Sequence, residues 1–330
     1  MARNKTVFAA LAALLLGAAM LSLCVGAVPV SPGEILSALF CGERETVGAR
    51  IVLYTRLPRT AAALLAGSAL AVAGAVIQTV LCNPLAAPNI IGVNASAGLA
   101  VTIACALTPM SAVSTPLIAF AGALAGVLLV LSLSELAGAS RMTTVLAGVA
   151  VSNLLGAAID AVVTLVPDAL SGYSDFRIGG FSGVTMAQLA PAAVMILLGI
   201  VLALSLSRQI DVLSLGTQTA MSLGLSVRPV RLLLLTLAAA MCGAAISFSG
   251  LLGFVGLIVP HMMRRLVGEE SARLNLACAM GGAALVTLCD TLARVLFAPY
   301  ELPVGIVLSF AGVPFFLWLL LKKRGGRASD

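Results

Sequence analysis

The stretch TAAALLAGSALAVAGAVIQTVL, residues 60–81, decides the fold. It contains the roughly 20 apolar residues that a helix needs to cross the hydrocarbon of a bilayer. The uncharged region extends much further, because no Asp, Glu, Lys or Arg occurs between Thr60 and Ser134. Turn-forming residues at Asn83-Pro84 and Thr108-Pro109 divide this region into three predicted membrane spans.

The composition of the whole chain agrees with a membrane protein. Of the 330 residues, 61% are hydrophobic and only 10% are charged, and the mean hydropathy is +1.13. Soluble domains are about 45–50% apolar and about 25% charged. The composition therefore excludes a soluble enzyme and a nucleic-acid-binding protein, and it predicts membrane lipid as the surroundings of the chain.

The predicted fold class is an all-α polytopic membrane protein with about ten transmembrane helices in a single domain, residues 1–330. The first apolar run is longer than the roughly 7–15 residues of a signal-peptide core, so we interpret it as an uncleaved span. The predicted spans are 7–28, 60–81, 91–107, 115–136, 143–166, 189–207, 230–249, 252–267, 274–297 and 303–321.

The positive charges give this arrangement an orientation. Ten spans put both termini on one side of the membrane, and thirteen of the 19 lysines and arginines then lie on that side. Because cytoplasmic loops carry an excess of Lys and Arg, the distribution predicts that both termini are cytoplasmic.

A few arginines lie on the side that should be poor in them. Arg56 and Arg59 open the second span at its outer side, and Arg294 falls at the outer end of the ninth. These side chains either reach lipid headgroups or dock an acidic partner. Asp290 and Arg294, four residues apart on one helix, are expected to form an ion pair.

Polar and helix-breaking residues mark candidate positions on a transport path. Gln78 lies within an apolar helix, where the position favours a helix–helix hydrogen bond over contact with a substrate. The chain then breaks at Asn83-Pro84, and Pro88 and Gly92 delay the next regular helix. Further along, Pro260 is predicted to kink the eighth span.

A cytoplasmic segment, residues 208–228, lies between the sixth and seventh spans. It is amphipathic, and Gly216 and Gly224 are predicted to be turn or helix-end positions around a short helix. Asp211 is a candidate cap for a neighbouring helix. The sequence allows two readings: insertion into a groove of a soluble partner, or a connector lying on the membrane surface.

Several kinds of site are absent from the sequence. There is no Walker A motif and no catalytic constellation, so we expect neither enzymatic activity nor nucleotide binding by this chain. Seven cysteines without a Cys-x-x-Cys motif, and one histidine, predict no metal site. An ion-gradient-driven transporter remains the alternative, although acidic residues inside the spans are few.

Several motifs together resemble the FecCD-type permease family. They are Arg-Leu-Pro-Arg at 56–59, Asn-Pro-Leu-Ala at 83–86, Gly-Phe-Val-Gly-Leu-Ile-Val-Pro-His at 253–261, Glu-Leu-Pro-Val-Gly at 301–305 and Gly-Val-Pro-Phe-Phe at 312–316. The similarity extends from about Pro32 to Leu320. It implies the permease fold of a type II ABC importer for iron–siderophore complexes, haem or cobalamin, located in the bacterial cytoplasmic membrane.

The resemblance also implies partners and site residues. It implies a homodimer whose path follows the dimer axis, an extracytoplasmic binding protein that delivers the chelate, and two ABC ATPase subunits that hold ATP and Mg, while this chain binds no cofactor. Binding-protein docking is assigned to Arg56, Arg59 and Arg294. The coupling loop to the ATPase is assigned to Asp211, Leu213, Leu215, Gly216, Ala220, Leu223 and Gly224. The path or its gates are assigned to Gln78, Asn83, Pro84, Pro88, Gly92 and Pro260.

Overall fold

The computed structural model describes residues 2–26, 28, 30–40, 46–107, 114–138, 140–297 and 300–325. Within these residues the regular structure is helical and contains no strand. The α-helices are α1 Ala2–Cys24, α2 Pro32–Phe40, α3 Val47–Ile51, α4 Leu57–Val80, α5 Val93–Leu107, α6 Ser114–Leu136, α7 Arg141–Leu165, α8 Ala169–Ile178, α9 Met186–Ser205, α10 Ser207–Ser214, α11 Thr217–Ser222, α12 Val227–Ser249, α13 Val255–Val267, α14 Ser271–Val295 and α15 Val304–Gly325.

Seven helical segments are long and apolar enough to cross a membrane. They are Asn4–Cys24, Val47–Val80, Thr115–Leu136, Arg141–Leu165, Met186–Ser205, Val227–Ser249 and Ser271–Val295. The other three predicted intervals hold α5, α13 and α15, of which Val93–Leu107 and Val304–Phe315 are shorter apolar helical segments. The structure therefore confirms the all-α membrane fold class, while the number of ten crossings stays a prediction.

The second predicted span begins much earlier than its sequence indicates. Helical structure starts at Val47 and continues through a π-helical turn, Val52–Arg56, into α4. The sequence predicts that this span begins only after Arg56 and Arg59, because charged residues are costly inside a membrane helix. Here both side chains are buried within the protein, where polar partners replace water.

The eighth predicted span, 252–267, also differs from its helix. α13 begins only at Val255, and the residues from Gly250 to Phe254 form an irregular turn in which Phe254 has a φ of 65°. A positive φ is uncommon for a non-glycine residue. α13 is therefore preceded by a non-helical segment, in which the amide of Leu251 donates to the carbonyl oxygen of Phe176 in α8.

Close contacts between small residues hold the central helices together. A Cβ added at Gly67 of α4 would lie 2.2 Å from the carbonyl oxygen of Gly282 in α14. A Cβ at Gly74 would lie 2.0 Å from the carbonyl oxygen of Gly256 in α13. Gly122 and Gly126 of α6 pack against α5 in the same way. This is the close backbone approach that the frequent glycines predict for helices in lipid.

The central helices are α4, α12 and α14, in which 78%, 72% and 61% of the most apolar window is buried. α1, α7 and α9 are peripheral, with 22%, 17% and 28% buried. Since all of these helices are apolar, lipid is the natural neighbour of the exposed faces of the peripheral group. The protein core is therefore a three-helix centre on which the other helices pack.

Candidate functional site

The segment after α8 and the segment before α13 meet beside the first turn of α15. The backbone amides of Leu251 and Gly180 donate to the carbonyl oxygens of Phe176 (2.9 Å) and Ser249 (2.8 Å). A Cβ at Gly305 would lie 2.0 Å from the carbonyl oxygen of Ile178. Glycine is therefore required where α15 meets the end of α8, and the junction fixes the walls of a cavity.

This cavity, the upper cavity, has a volume of ≈ 790 Å³. α8 contributes Arg177 and Ile178, the turn before α13 contributes Leu251 and Gly253, and α5 contributes Asn94. One face of α15 forms the remaining wall, with Gly305, Ile306, Ser309, Phe310, Val313 and Pro314. At 1.5 Å per residue, this face extends the cavity over about 14 Å of α15.

A second, lower cavity of ≈ 220 Å³ adjoins the first, because Asn94 and Gly253 line both. Its other walls are the break after α4, including Pro88 and Ile90, and the start of α13, including Leu257. In the predicted orientation, the two cavities follow one another from the outer side toward the cytoplasmic side. Together they form a candidate path along one face of the chain.

Of the residues assigned to the path from the sequence, Pro88 lines the lower cavity. Gln78 is buried instead, where its Nε2 donates to the carbonyl oxygen of Gly256 (3.0 Å) and its Oε1 accepts from Arg264. This is the helix–helix hydrogen bond that its position in an apolar helix favours. Pro260 is likewise buried, within α13.

The other assigned path residues shape the break between α4 and α5. The Oδ1 of Asn83 accepts from the amide of Leu85 (2.9 Å), which closes a turn around Pro84. Gly92 has a φ of 85° and ends the short 3₁₀ helix that begins at Pro88. None of Asn83, Pro84 and Gly92 lines either cavity. These residues therefore position the wall of the lower cavity rather than forming it.

Sequence reasoning missed Asn94, Ser309 and Phe310 as lining residues. Each is a single residue in an apolar run, so no local pattern distinguishes it from a packing position. Arg177 carried a signal, because it is an arginine on the predicted outer side. Its place in the upper cavity depends on α8, a ten-residue helix that the sequence reading did not predict.

A buried cluster of charges joins α4, α14 and the segment before α15. Arg59 donates from Nε to both carboxylate oxygens of Asp290 (3.2 and 3.0 Å), and from Nη1 to Glu301 (2.6 Å). Arg294 forms an ion pair with Asp290 at 3.4 Å, which confirms the predicted pairing four residues apart. Asp290 has no solvent exposure, so its charge is balanced entirely within the protein.

Two further arginine contacts hold the C-terminal end of α1. Arg56 donates to the carbonyl oxygens of Leu23 and Cys24 (both 2.7 Å) and to that of Val28. Arg294 donates to the carbonyl oxygen (3.1 Å) and the hydroxyl (2.8 Å) of Ser22. The last carbonyls of a helix lack partners within the helix and carry its negative dipole end, so guanidinium groups suit them.

The three arginines assigned to docking are therefore not surface residues in this structure. Arg56, Arg59 and Arg294 have exposed fractions of 4%, 7% and 3%. Their position corrects the sequence reading, which placed their charges at the outer surface because internal partners could not be seen. Arg59 still borders a cavity of ≈ 440 Å³, which Glu301 also lines. A docking role stays a prediction for all three arginines.

The predicted coupling loop consists mainly of two short helices, α10 and α11. Gly216, with a φ of 104°, precedes α11, and Gly224, with a φ of 82°, follows it. Both glycines thus occupy the helix-end positions that the sequence predicts. The side chains of Leu215 and Leu223 are 59% and 62% exposed. This segment therefore presents apolar side chains at its surface.

The other assigned coupling residues attach the segment to the helix bundle. Leu213 and Ala220 are buried, with exposed fractions of 1% and 0%. The Oδ1 of Asp211 accepts from the amide of Ser271, the first residue of α14, at 2.9 Å. This confirms the prediction that Asp211 caps a neighbouring helix. The segment is consequently anchored on one side and exposed on the other.

The described residues include no group of three or more His, Cys, Asp or Glu side chains that could hold a metal ion. The candidate site is therefore an apolar helix bundle with two adjoining cavities and an exposed segment that carries apolar side chains.

Comparison with known proteins identifies the family. Residues 14–322 match the model of the FecCD transport family. The chain is 39% identical over 285 residues to the hemin transport system permease protein HmuU of Yersinia pestis, covering 84% of this chain and 85% of that protein. It is 38% identical over 311 residues to the Fe(3+) dicitrate transport system permease protein FecD of Escherichia coli (strain K12), covering 94% and 96%.

A solved structure of a metal-chelate type ABC transporter in an inward-facing conformation has the same fold. It matches with a TM-score of 0.85 at 29% identity, and the match covers 96% of this chain and 99% of that one. The chain belongs to the FecCD transport family. The resemblance stated from the sequence motifs is thereby confirmed.

Proposed function

We propose that this chain is the permease subunit of an ATP-driven importer that moves a metal chelate across the bacterial cytoplasmic membrane by alternating access. An iron–siderophore complex is the first candidate cargo, and haem or cobalamin is the next. The observation that carries this proposal is the pair of adjoining cavities in a chain whose relatives are permeases for hemin and ferric dicitrate. ATP hydrolysis is assigned to a separate subunit.

The partner on the cytoplasmic side is proposed to be an ABC ATPase that holds ATP and Mg. Leu215 and Leu223 supply exposed apolar contacts that fit a groove on a soluble protein. The bond from Asp211 to the start of α14 and a hydrogen bond from Arg231 to Thr217 (3.3 Å) tie the same segment to long helices. Movement of the ATPase would thus reach the bundle through fixed contacts.

A second copy of the chain is proposed to complete the path. The upper cavity opens along α15, where Phe310 is 79% exposed and Val313 is 45% exposed. α7 also presents a largely exposed apolar surface. A homodimer packed on these helices would close the cavity on its open side and put the path on the dimer axis.

Binding-protein docking is proposed to involve Arg59 on the outer side. Glu301 contacts Arg59 and is 40% exposed, so this pair lies where an acidic side chain of a partner could enter the neighbouring cavity. Such a carboxylate would compete with Glu301 for the guanidinium. Arg56 and Arg294 are proposed to support this site from within by holding the end of α1.

The proposed function is tested with the permease, its ATPase and its binding protein reconstituted in vesicles. We expect uptake of a radiolabelled ferric chelate to require ATP and the binding protein, and to persist when ion gradients are collapsed with ionophores. Uptake by the permease alone, or uptake that follows an ion gradient without ATP hydrolysis, would instead support the secondary-transporter alternative.

Replacing Gly216 with tryptophan tests the coupling segment. The side chain would be forced into a φ that L residues rarely adopt, between the exposed Leu215 and the start of α11. We expect chelate uptake per ATP hydrolysed to fall by roughly tenfold, the range of ordinary coupling energies, while basal ATPase activity continues. Uptake and ATP hydrolysis are measured in the same vesicles.

The matched control for this variant is Gly138→Trp. Gly138 has a φ of 100° and open space around it, and it lies in the turn between α6 and α7. The local backbone strain is similar, but the turn lies outside the segment from Asp211 to Gly224. Equal uptake per ATP in the Gly216 variant and the wild-type protein would remove the coupling assignment.

A further inference from the structure

The charge in the lining of the upper cavity is positive and comes from one arginine among the described residues. Among the described residues that line it, Arg177 is the only ionisable side chain, and Asn94 and Ser309 are the only other polar ones. The hydroxyl of Ser309 already donates to the carbonyl oxygen of Gly305 (2.8 Å). The cavity therefore offers a guanidinium and an amide, and no carboxylate, to whatever occupies it.

Arg177 differs from the buried arginines because its charge acts on Tyr173, one turn earlier on α8, and no carboxylate of the described residues forms an ion pair with it. It is exposed, and it forms no hydrogen bond or ion pair within the part of the chain that the structure describes. Asp175, two residues earlier on α8, lines two other cavities and not this one. Positions two apart on a helix do not face each other, so Asp175 does not pair with Arg177.

A guanidinium without a carboxylate partner needs either water or an anion. Charged side chains in membrane proteins face cavities or pair with one another, since exposure to hydrocarbon is costly. The position of Arg177 in the last turn of α8 gives it a favourable helix-dipole contact, which explains a basic residue there but not its place in the lining of the cavity. Its place in the wall of a cavity large enough for a small molecule points to a ligand.

We propose that the upper cavity selects anionic metal chelates, with Arg177 as the specificity-determining residue and Asn94 as a second donor where the two cavities meet. This inference rests on the proposed function, because it takes the cavity as the passage for the chelate. A single exposed cation attracts an anion and still lets it leave, which is what a passage between a binding protein and the cytoplasm requires. A neutral or cationic chelate would gain nothing from Arg177.

The test uses the complete transporter in vesicles of neutral phosphatidylcholine, with ferric dicitrate and hemin as anionic probes and a neutral ferric trihydroxamate for comparison. We expect the wild-type transporter to take up an anionic probe. Arg177→Gln should lower the initial rate of that uptake by about tenfold, because one charge-assisted contact is lost. Arg177→Lys keeps the charge and should retain most of the rate. Basal ATPase activity reports that each variant is assembled.

Asn94→Asp provides an independent measurement on a different helix. It puts a negative charge at the junction of the two cavities and should also slow uptake of the anionic probe. A route that does not take the anionic probe past this junction predicts no effect of this variant. Slower uptake in both variants, with the lysine variant near wild type, supports the proposal.

Three results would overturn the proposal: an Arg177→Gln rate within about twofold of wild type, wild-type uptake restricted to the neutral probe, or a loss that appears only in vesicles containing anionic lipid. The last result would assign Arg177 to a lipid headgroup. If the wild-type transporter takes up no chelate with ATP and binding protein present, the proposed function itself fails. That outcome is distinct, because it appears before any variant is compared.

Discussion

Asp290→Asn should destabilise the protein by about 3–5 kcal/mol, the usual consequence of removing one member of a buried ion pair. The substitution keeps the side-chain volume, removes the charge and replaces one acceptor oxygen with an NH₂ donor. Arg59 and Arg294 would then share a buried site with Glu301 as the remaining carboxylate. A lower thermal unfolding midpoint of the detergent-purified protein, with a lower yield of folded protein, is the measurement.

The matched control is Glu270→Gln, which removes a carboxylate from a surface ion pair. Glu270 and Arg273 lie 3.1 Å apart, and their side chains are 48% and 46% exposed. Exposed pairs contribute about 0–1 kcal/mol, so this variant should unfold close to the wild-type temperature. Equal unfolding midpoints for the Asp290 and Glu270 variants would show that the buried cluster contributes little to stability.

Gly74→Leu should have an effect of similar size through packing. The first added carbon would lie 2.0 Å from the carbonyl oxygen of Gly256, and that neighbour is backbone that cannot rotate away. Overpacking in a core costs about 1–3 kcal/mol, and we expect the upper end because Gln78 would also lose its bond to Gly256. The unfolding midpoint and the fraction of monodisperse protein after purification measure the loss.

Gly17→Leu, in α1, is the control for this packing variant. No atom outside its own helical neighbourhood lies within 4 Å of a Cβ added there. Leucine favours a helix interior over glycine by a few tenths of a kcal/mol to about 1 kcal/mol, so the protein should be unchanged or slightly more stable. A stable, monodisperse Gly74→Leu protein would show that α4 and α13 can separate without loss of the fold.

The sequence predicts most of the helices because uncharged apolar runs of this length have few alternatives in a bilayer. It also predicts contacts that are local in the chain, such as the pair of Asp290 and Arg294, since four residues bring side chains to one helix face. For Asp211, the sequence predicts that the side chain caps a helix but does not identify which helix. Its partner, Ser271, is 60 residues away and could not be identified from spacing.

The parts that the sequence could not predict depend on distant segments meeting. The partners of Arg59 lie 231 and 242 residues away, so the sequence showed an arginine on the outer side and not a buried ion pair. The upper cavity likewise needs α5, α8 and α15 together. The sequence does not predict that Asn94 lines this cavity, because a single asparagine forms no recognisable motif. The structure shows that Asn94 and Arg177 line the same cavity.

α14 joins two distant parts of the protein with one unbroken helix. It begins at Ser271, whose amide is held by Asp211, and it carries Asp290 and Arg294 near its other end. Its 25 residues extend about 37 Å, the full thickness of a bilayer with part of its headgroups. A shift of α14 along its axis therefore moves both of its ends. The contact of Asp211 at one end and the contact of Arg59 at the other are mechanically linked in both directions.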